Sequence, residues 1–95
     1  MAEPTLLILA SLAEGEKHGY AMMEDIREAV GVRLGPGTLY GAITRLEQRG
    51  WIRAMETEDR RRPYRLTAEG RRALQSQLAG LEKVLKAGMR RPRTS

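Results

Sequence analysis

Two short segments of the chain carry residue types and spacings that could bind a ligand. Residues 34–47 have the sequence LGPGTLYGAITRLE, which predicts a helix with one apolar face and one face of very small residues. Residues 60–67 have the sequence RRRPYRLT, which predicts the return strand of a basic hairpin. A helix without bulk on its outer face, next to an arginine-rich hairpin, indicates insertion into a groove of double-stranded DNA.

The charge distribution supports a polyanionic partner. The 95 residues have a net charge of +5. Residues 1–59 carry six basic and ten acidic groups, a net of −4, whereas residues 60–95 carry eleven basic and two acidic groups, a net of +9. Such a concentrated basic region is the expected footprint of a nucleic acid. A solvated basic surface that ends in a basic tail is the alternative interpretation.

The sequence offers little for catalysis. It has one histidine and no cysteine, and it lacks a phosphate-binding loop, a metal-ligand spacing and paired carboxylates on an apolar face. We therefore expect no enzyme activity, no metal and no cofactor, and we expect His18 to cap or pack a helix. The longest apolar run, residues 6–10, is far shorter than the roughly 20 residues that span a bilayer. Residues 1–4 lack the basic region of a secretion signal, so a cytoplasmic protein without a membrane partner is expected.

Hydrophobic periodicity predicts one domain, mainly helical, with a small two-stranded β-hairpin. Residues 14–17 are predicted to form a turn, and Gly31 is predicted to end a helix as a left-handed cap. Pro63 is expected to lie outside a central position of the β-sheet hydrogen-bond ladder. The predicted helices are residues 4–13, 18–30, 36–50 and 68–87, and the predicted strands are residues 51–56 and 63–66.

The third predicted helix has two different faces. At 100° per residue its inner face is apolar and its outer face is small or polar. Two glycines in a helix lower its stability by about 1 kcal/mol each relative to alanine, which favours a need for close approach to a partner; tertiary packing that merely tolerates them is the alternative. The inner face comprises Leu39, Ala42, Ile43 and Leu46, and the outer face comprises Gly37, Gly41, Thr44 and Gln48.

The last helix predicts a partner subunit. Four leucines follow one another at spacings of 4, 3 and 4, as in the contact line of a coiled coil, over a helix of about 30 Å. The first helix has almost no polar face, which indicates burial on two sides, one of them against a partner. Packing of the leucines on their own core is the alternative. The predicted dimer interface comprises Leu6, Leu9, Leu74, Leu78, Leu81 and Leu85.

Five short motifs resemble the PadR family of bacterial transcriptional regulators. They are LAEG at residues 12–15, HGY at 18–20, LGPGTLY at 34–40, RLE at 45–47 with Gly50, and RRPYRLT at 61–67 with Gly70. The resemblance covers about residues 6–85 and implies a winged helix-turn-helix with a C-terminal dimerisation helix, in the compact subgroup with a single short C-terminal helix. Gly35 and Gly41 stand where the family often has Ser and Pro, which leaves the base preference open.

The resemblance implies a homodimeric repressor whose third helix enters the major groove and whose wing lies on the backbone or in the minor groove. Tyr40 could instead pack under the wing, Arg45 could form a surface ion pair with Glu47, and Trp51 is expected to be a core residue. The residues predicted to bind DNA are Lys17, Tyr20, Gly37, Thr38, Tyr40, Gly41, Thr44, Arg45, Gln48, Arg60, Arg61, Arg62 and Tyr64.

The predicted organisation has three parts: a DNA-binding domain over residues 1–66, a dimerisation helix over 67–89 and a disordered basic tail over 90–95. Some compact relatives bind flat aromatic molecules through a tryptophan of the last helix. That helix has no tryptophan here, although Leu6, Leu9, Leu81 and Leu85 could line a cavity for a small-molecule effector. Two other functions stay open: a protein–protein interaction module that lacks DNA binding, and a constitutive or architectural DNA binder without an effector.

Overall fold

A computed structural model describes residues 3–58 and 60–90. Within these ranges the chain forms four α-helices and three short β-strands in one antiparallel sheet. The helices pack around a single apolar core, and the sheet closes one side of it. In chain order the elements are α1 (Pro4–Leu12), β1 (Lys17–His18), α2 (Gly19–Val30), α3 (Pro36–Gln48), β2 (Ile52–Ala54), β3 (Pro63–Leu66) and α4 (Ala68–Arg90).

Helix α1 is the centre of the core. Pro4 opens its first turn, where the missing N–H group removes no helical hydrogen bond. Ile8, Leu9 and Leu12 are almost completely buried, and the helix contacts α2, α3, α4 and β3 of the same chain. The prediction that Leu9 faces a partner subunit is therefore wrong, because the chain's own helices already cover that side of α1.

Helices α2 and α3 form the helix-turn-helix. Met22 and Ile26 direct α2 onto the core. The helix ends at Gly31, whose φ of 71° is left-handed and whose N–H donates to the Arg27 carbonyl, which confirms the predicted cap. The predicted inner face of α3 is also confirmed, since each of its four members is buried: Leu39, Ala42, Ile43 and Leu46.

The sheet has three strands where the sequence predicted two. The predicted turn over residues 14–17 ends in β1, whose Lys17 pairs with Tyr64 of β3. Strand β3 lies between β1 and β2, so the expectation that Pro63 avoids the central strand is wrong. Pro63 is the first residue of that strand, where a missing N–H is tolerated, and its carbonyl accepts from Met55 N–H.

The start of α4 is tied to the segment that leaves α3. Thr67 caps the helix: its Oγ1 accepts from Gly70 N–H at 3.0 Å and donates to the Gly50 carbonyl at 2.6 Å, and its N–H donates to the Trp51 carbonyl. Gly70 packs directly against the Trp51 backbone, just before β2, since a Cβ at residue 70 would stand 1.9 Å from Trp51 O. Trp51 is partly buried against the core, and the Arg49 guanidinium lies 5.0 Å from its ring centroid.

Beyond its first two turns α4 leaves the core. The helix has 23 residues, and only Gly70 and Leu74 in it are buried. The prediction that Leu74 belongs to a dimer interface is wrong, because its side chain is 5% exposed inside the chain's own core. The later leucines do not pack on that core either: Leu78, Leu81 and Leu85 are 46%, 51% and 62% exposed. Arg90 continues the helix, and the rest of the predicted tail lies outside the described residues.

We expect Gly70→Ala to lower the free energy of unfolding by about 2–3 kcal/mol, because the added methyl group would collide with backbone that can yield only by shifting the strand or the helix. Urea denaturation followed by circular dichroism measures the change. The matched control is Gly80→Ala on the same helix, where a Cβ meets nothing within 4 Å. This substitution should raise the free energy of unfolding by about 0.5–1 kcal/mol. Equal effects of the two substitutions would contradict the close contact at Gly70.

Candidate nucleic-acid interface

The outward face of α3 carries little side-chain bulk. Gly37 and Thr38 are exposed in its first turn, Gly41 is partly exposed, and Thr44 and Gln48 are exposed further along the helix. A Cβ at Gly37 would meet nothing within 4 Å, and one at Gly41 would lie 3.7 Å from Arg45 Nη1. The two glycines are therefore not needed for packing inside the chain, and the face is open to a partner that approaches closely.

Two polar side chains stand at the edge of this face. Thr44 Oγ1 donates to the Tyr40 carbonyl at 3.0 Å, so its hydroxyl proton is committed to the helix while its oxygen can still accept. Arg45 is exposed and forms no ion pair within the described residues, Glu47 included. Its guanidinium lies back along the helix beside Gly41 and keeps its donors available.

A groove of about 660 Å³ lies between the start of α2, the start of α3 and the tip of the β2–β3 hairpin. We call this hairpin, residues 52–66, the wing, and we call Arg60, Arg61 and Arg62 the arginine cluster. The groove thus brings the arginine cluster next to three tyrosines from three different elements. The lining residues are His18, Gly19, Tyr20, Tyr40, Arg60, Arg61, Arg62 and Tyr64.

Gly19 sets the position of the Tyr40 ring. A Cβ at residue 19 would stand 2.5 Å from Tyr40 Oη and 2.9 Å from Cζ, so the phenol packs directly on the first turn of α2. About half of Tyr40 remains exposed, at 49%. The two interpretations of Tyr40 that the sequence left open therefore describe different parts of one side chain: its tip packs inside the chain, and one side of it faces the groove.

Burial raises the pKa of Tyr64 above its ordinary value of 10.0, and the nearby Glu47 carboxylate and Tyr40 add to the shift. The positive charge of Arg62 acts in the opposite direction. The Tyr64 phenol consequently keeps its proton at neutral pH and can serve as a hydrogen-bond donor at the edge of the groove.

His18 caps α2. Its Nδ1 accepts a hydrogen bond from Ala21 N–H at 3.3 Å, which is the role of an N-cap side chain. The prediction of a capping or packing histidine is confirmed. Among the described residues no three histidine, aspartate or glutamate side chains gather as they would around a metal ion.

Lys17 does not join the other predicted DNA-binding residues. Its ammonium donates to the Ser11 carbonyl and lies 3.5 Å from Glu14 Oε1 and 3.9 Å from Asp25 Oδ2. Ser11 Oγ in turn donates to Asp25 Oδ2 at 2.6 Å. Because two carboxylates surround this half-buried charge, Lys17 links α1 to α2. It is therefore not part of the candidate DNA-binding surface.

Comparison with known proteins identifies the family of this chain. The model of the PadR-like family of transcriptional regulators matches residues 8–76, most of the chain. The chain belongs to this family. Its architecture is the winged-helix fold, and the family consists of transcriptional regulators rather than enzymes.

Solved structures share the architecture over nearly the whole chain. A transcriptional regulator from Clostridium thermocellum is 30% identical, with a TM-score of 0.82 over 95% of this chain and 90% of that one. A PadR family transcription regulator from Clostridium difficile R20291 is 25% identical, with a TM-score of 0.82 over 90% of this chain and 94% of that one. Both likenesses cover at least 90% of this chain, a larger share than residues 8–76 of the family match.

A relative from a mobile element is closer in sequence. A 37.1 kDa protein of transposon TN4556 from Streptomyces fradiae is 42% identical over 79 residues. That match covers 83% of this chain but only 23% of the relative, so this chain spans about a quarter of that protein's length.

No helix of this PadR-like chain, over the residues described, is both long and apolar enough to cross a membrane.

Sequence reasoning missed two positions that build this surface. Gly19 was part of the HGY motif, but its need to admit the Tyr40 ring depends on a helix 21 residues away. Strand β1 was missed because two residues give no periodicity to recognise. Its pairing with β3 holds the start of α2 next to the wing, which is what forms the groove.

Proposed function

We propose that this PadR-like chain is a sequence-specific, DNA-binding repressor that acts as a homodimer in the cytoplasm. The proposal rests above all on one observation. The open face of α3 adjoins the groove lined by the arginine cluster, because Tyr40, the neighbour of Gly41 on α3, lines that groove. An unobstructed helix face next to concentrated positive charge matches the major groove and the phosphates that border it.

In this arrangement α3 lies in the major groove. The absence of side chains at Gly37 and Gly41 lets the helix backbone approach the base edges. Arg45 and Gln48 then supply donors and acceptors, and the Thr44 methyl group can meet a thymine methyl group. Thr38, in the first turn, is placed where helix N–H groups and the helix dipole favour a phosphate.

The arginine cluster supplies most of the affinity. Arg60, Arg61 and Arg62 are exposed at the wing tip and border the groove, and guanidinium groups bind phosphate oxygens with paired hydrogen bonds or enter a narrow minor groove. Tyr20, Tyr40 and Tyr64 line the same groove, and the phenols of Tyr20 and Tyr64 can donate to phosphate oxygens.

Helix α4 is the proposed dimer contact. Leu78, Leu81 and Leu85 lie on one face of α4 and are exposed. Leu6 of α1, which is partly buried, is proposed to belong to the same contact. Apolar side chains at coiled-coil spacing are stable in water when a second helix covers them. Two such subunits would present their α3 helices to major grooves about 34 Å apart. A small-molecule effector stays a prediction.

Replacement of Arg60, Arg61 and Arg62 by alanine should lower affinity for every DNA sequence and reduce the slope of log K against log salt by about 2–3, since each lost phosphate contact removes about 0.9. Fluorescence anisotropy across a salt series measures both quantities, with DNA from the region upstream of the gene and random DNA as the two probes. An unchanged slope would show that the arginine cluster of the wing does not contact DNA phosphates.

The same titration of the unaltered protein distinguishes the alternatives. Tight binding with preference for the upstream DNA supports a local repressor. Equal, salt-sensitive binding to both probes supports an architectural binder or a distant target. No binding at low salt, with a folded dimer, supports the protein–protein interaction module.

Gly41→Leu should leave the fold intact and lower operator affinity at least about tenfold, because the side chain would occupy the space that the base edges need. A Cβ at residue 41 meets only the end of the Arg45 side chain, at 3.7 Å, and leucine favours a helix over glycine by about 0.5–1 kcal/mol. Gly80→Leu, at an open position of α4, is the control and should bind as the unaltered protein does. Full operator binding by Gly41→Leu would refute the role of the open face.

Leu81→Glu should weaken dimerisation at least about tenfold, since the burial of one leucine contributes about 1.5–3 kcal/mol. Sedimentation velocity over a range of concentrations measures the effect. Ser76→Glu adds the same charge on the opposite face of α4 and should sediment as the unaltered protein. If both variants remain dimers of equal strength, the dimer contact lies elsewhere.

A further inference from the structure

Two arginines face each other across the wing. In the antiparallel register of β2 and β3, Arg53 is the direct partner of Arg65. Both are exposed, whereas their neighbours Ile52, Ala54, Tyr64 and Leu66 lie wholly or partly buried. The pair therefore stands on the outer face of the wing, away from the core and from the groove that Tyr64 lines.

This pairing opposes the stability of the hairpin. Like charges directly opposite each other on neighbouring strands repel at Cβ separations of about 4.5–5.5 Å. Within the described residues neither arginine has an ion pair or a side-chain hydrogen bond. Glu16 precedes β1, the strand next to Arg65, and Glu56 follows β2, and neither carboxylate forms an ion pair with Arg53 or Arg65.

The space beside the pair is open. A shallow groove of about 380 Å³ runs along the outer face, and Arg53, Met55, Glu56 and Arg65 contribute to its lining. The two guanidinium groups present up to ten N–H donors to this groove, where the Glu56 carboxylate is the one acidic side chain among the lining residues. Their natural complement is an anion with several acceptor oxygens, and phosphate has that character.

We propose that Arg53 and Arg65 form a second phosphate-binding site, which holds the DNA backbone on the side of the wing that faces away from α3. This inference rests on the proposed DNA-binding function and extends its footprint. The site takes backbone phosphates of double-stranded DNA without regard to base sequence.

The spacing along the wing fits a continuous backbone contact. Arg62 directly precedes β3 and Arg65 lies within it, three residues further on, a distance of about 10 Å at 3.3 Å per residue of extended chain. One DNA strand places a charge at every 3.4 Å of the helix axis, so this distance corresponds to about three nucleotides. The arginine cluster contacts phosphates at the wing tip, and the Arg53–Arg65 pair contacts the phosphates that flank them. The repulsion within the pair is then relieved when DNA is bound.

Arg53→Glu separates a role in binding from a role in folding. The substitution turns the like-charge pair into an opposite-charge pair, so the melting temperature of the free protein should stay the same or rise. DNA affinity should nevertheless fall about tenfold or more at low salt, and the slope of log K against log salt should decrease by about 1–2. The probe is a long mixed-sequence DNA duplex, followed by fluorescence anisotropy, because phosphate contacts do not depend on sequence.

Lys83→Glu is the matched control. It makes the same change of charge at an exposed position of α4, about 22 Å along the helix from its start. This distance is more than twice the Debye length of about 10 Å at 0.1 M salt. Lys83→Glu should therefore leave the slope unchanged. The double variant Arg53→Gln with Arg65→Gln replaces Arg53→Glu if that variant does not fold, and its slope should decrease in the same way.

The outcomes separate this inference from the proposed function. A slope in the Arg53 variants equal to that of the unaltered protein overturns the second site while DNA binding stands. Equal losses in Arg53→Glu and Lys83→Glu overturn it as well, since they reflect total charge alone. If the unaltered protein shows no salt-dependent binding, the proposed function fails and the second site fails with it.

Discussion

The contact between the first turn of α4 and the backbone of Gly50 and Trp51 holds the functional parts together. Thr67 bonds both to its own helix and to the Gly50 carbonyl, while Gly70 lets the helix lie directly on Trp51. Since Gly50 follows α3 and Thr67 follows β3, this one junction fixes the wing relative to α3. It also fixes the direction in which α4 leaves the core. The recognition surface and the exposed leucines are thus positioned by the same few atoms.

Charge is divided in the folded molecule as it is in the sequence. Acidic side chains near the start of the chain are occupied locally: Asp25 and Glu14 surround Lys17, and Glu24 pairs with Arg27. On the outer face of the wing, Arg53 and Arg65 form no ion pair with any described residue. Positive potential therefore concentrates at the wing, where it favours encounter with a polyanion over neutralisation inside the chain.

Glycine serves two opposite purposes in this PadR-like chain. Gly19 and Gly70 admit close contacts within the protein, one with the Tyr40 phenol and one with the Trp51 backbone. Gly37 and Gly41 have no such neighbour to accommodate and leave a helix surface bare. The first kind positions the surface, and the second kind determines how closely a ligand can approach it. A sequence pattern cannot distinguish the two kinds, because both are glycines in or beside helices.

The sequence by itself determined the helices, the inner face of α3, the cap at Gly31 and the family, because these depend on local spacing and on short motifs. It also located the basic wing, since charge along a chain is visible without a fold. Only the tertiary structure decided that Leu9 and Leu74 are core residues, that Lys17 is held by carboxylates and that β1 completes the sheet. These outcomes depend on which distant segments meet: α1 is surrounded by four elements of its own chain, and a two-residue strand exists only because β3 lies beside it. The same reason explains the Arg53–Arg65 pair, whose repulsion arises from strand register and not from position along the chain.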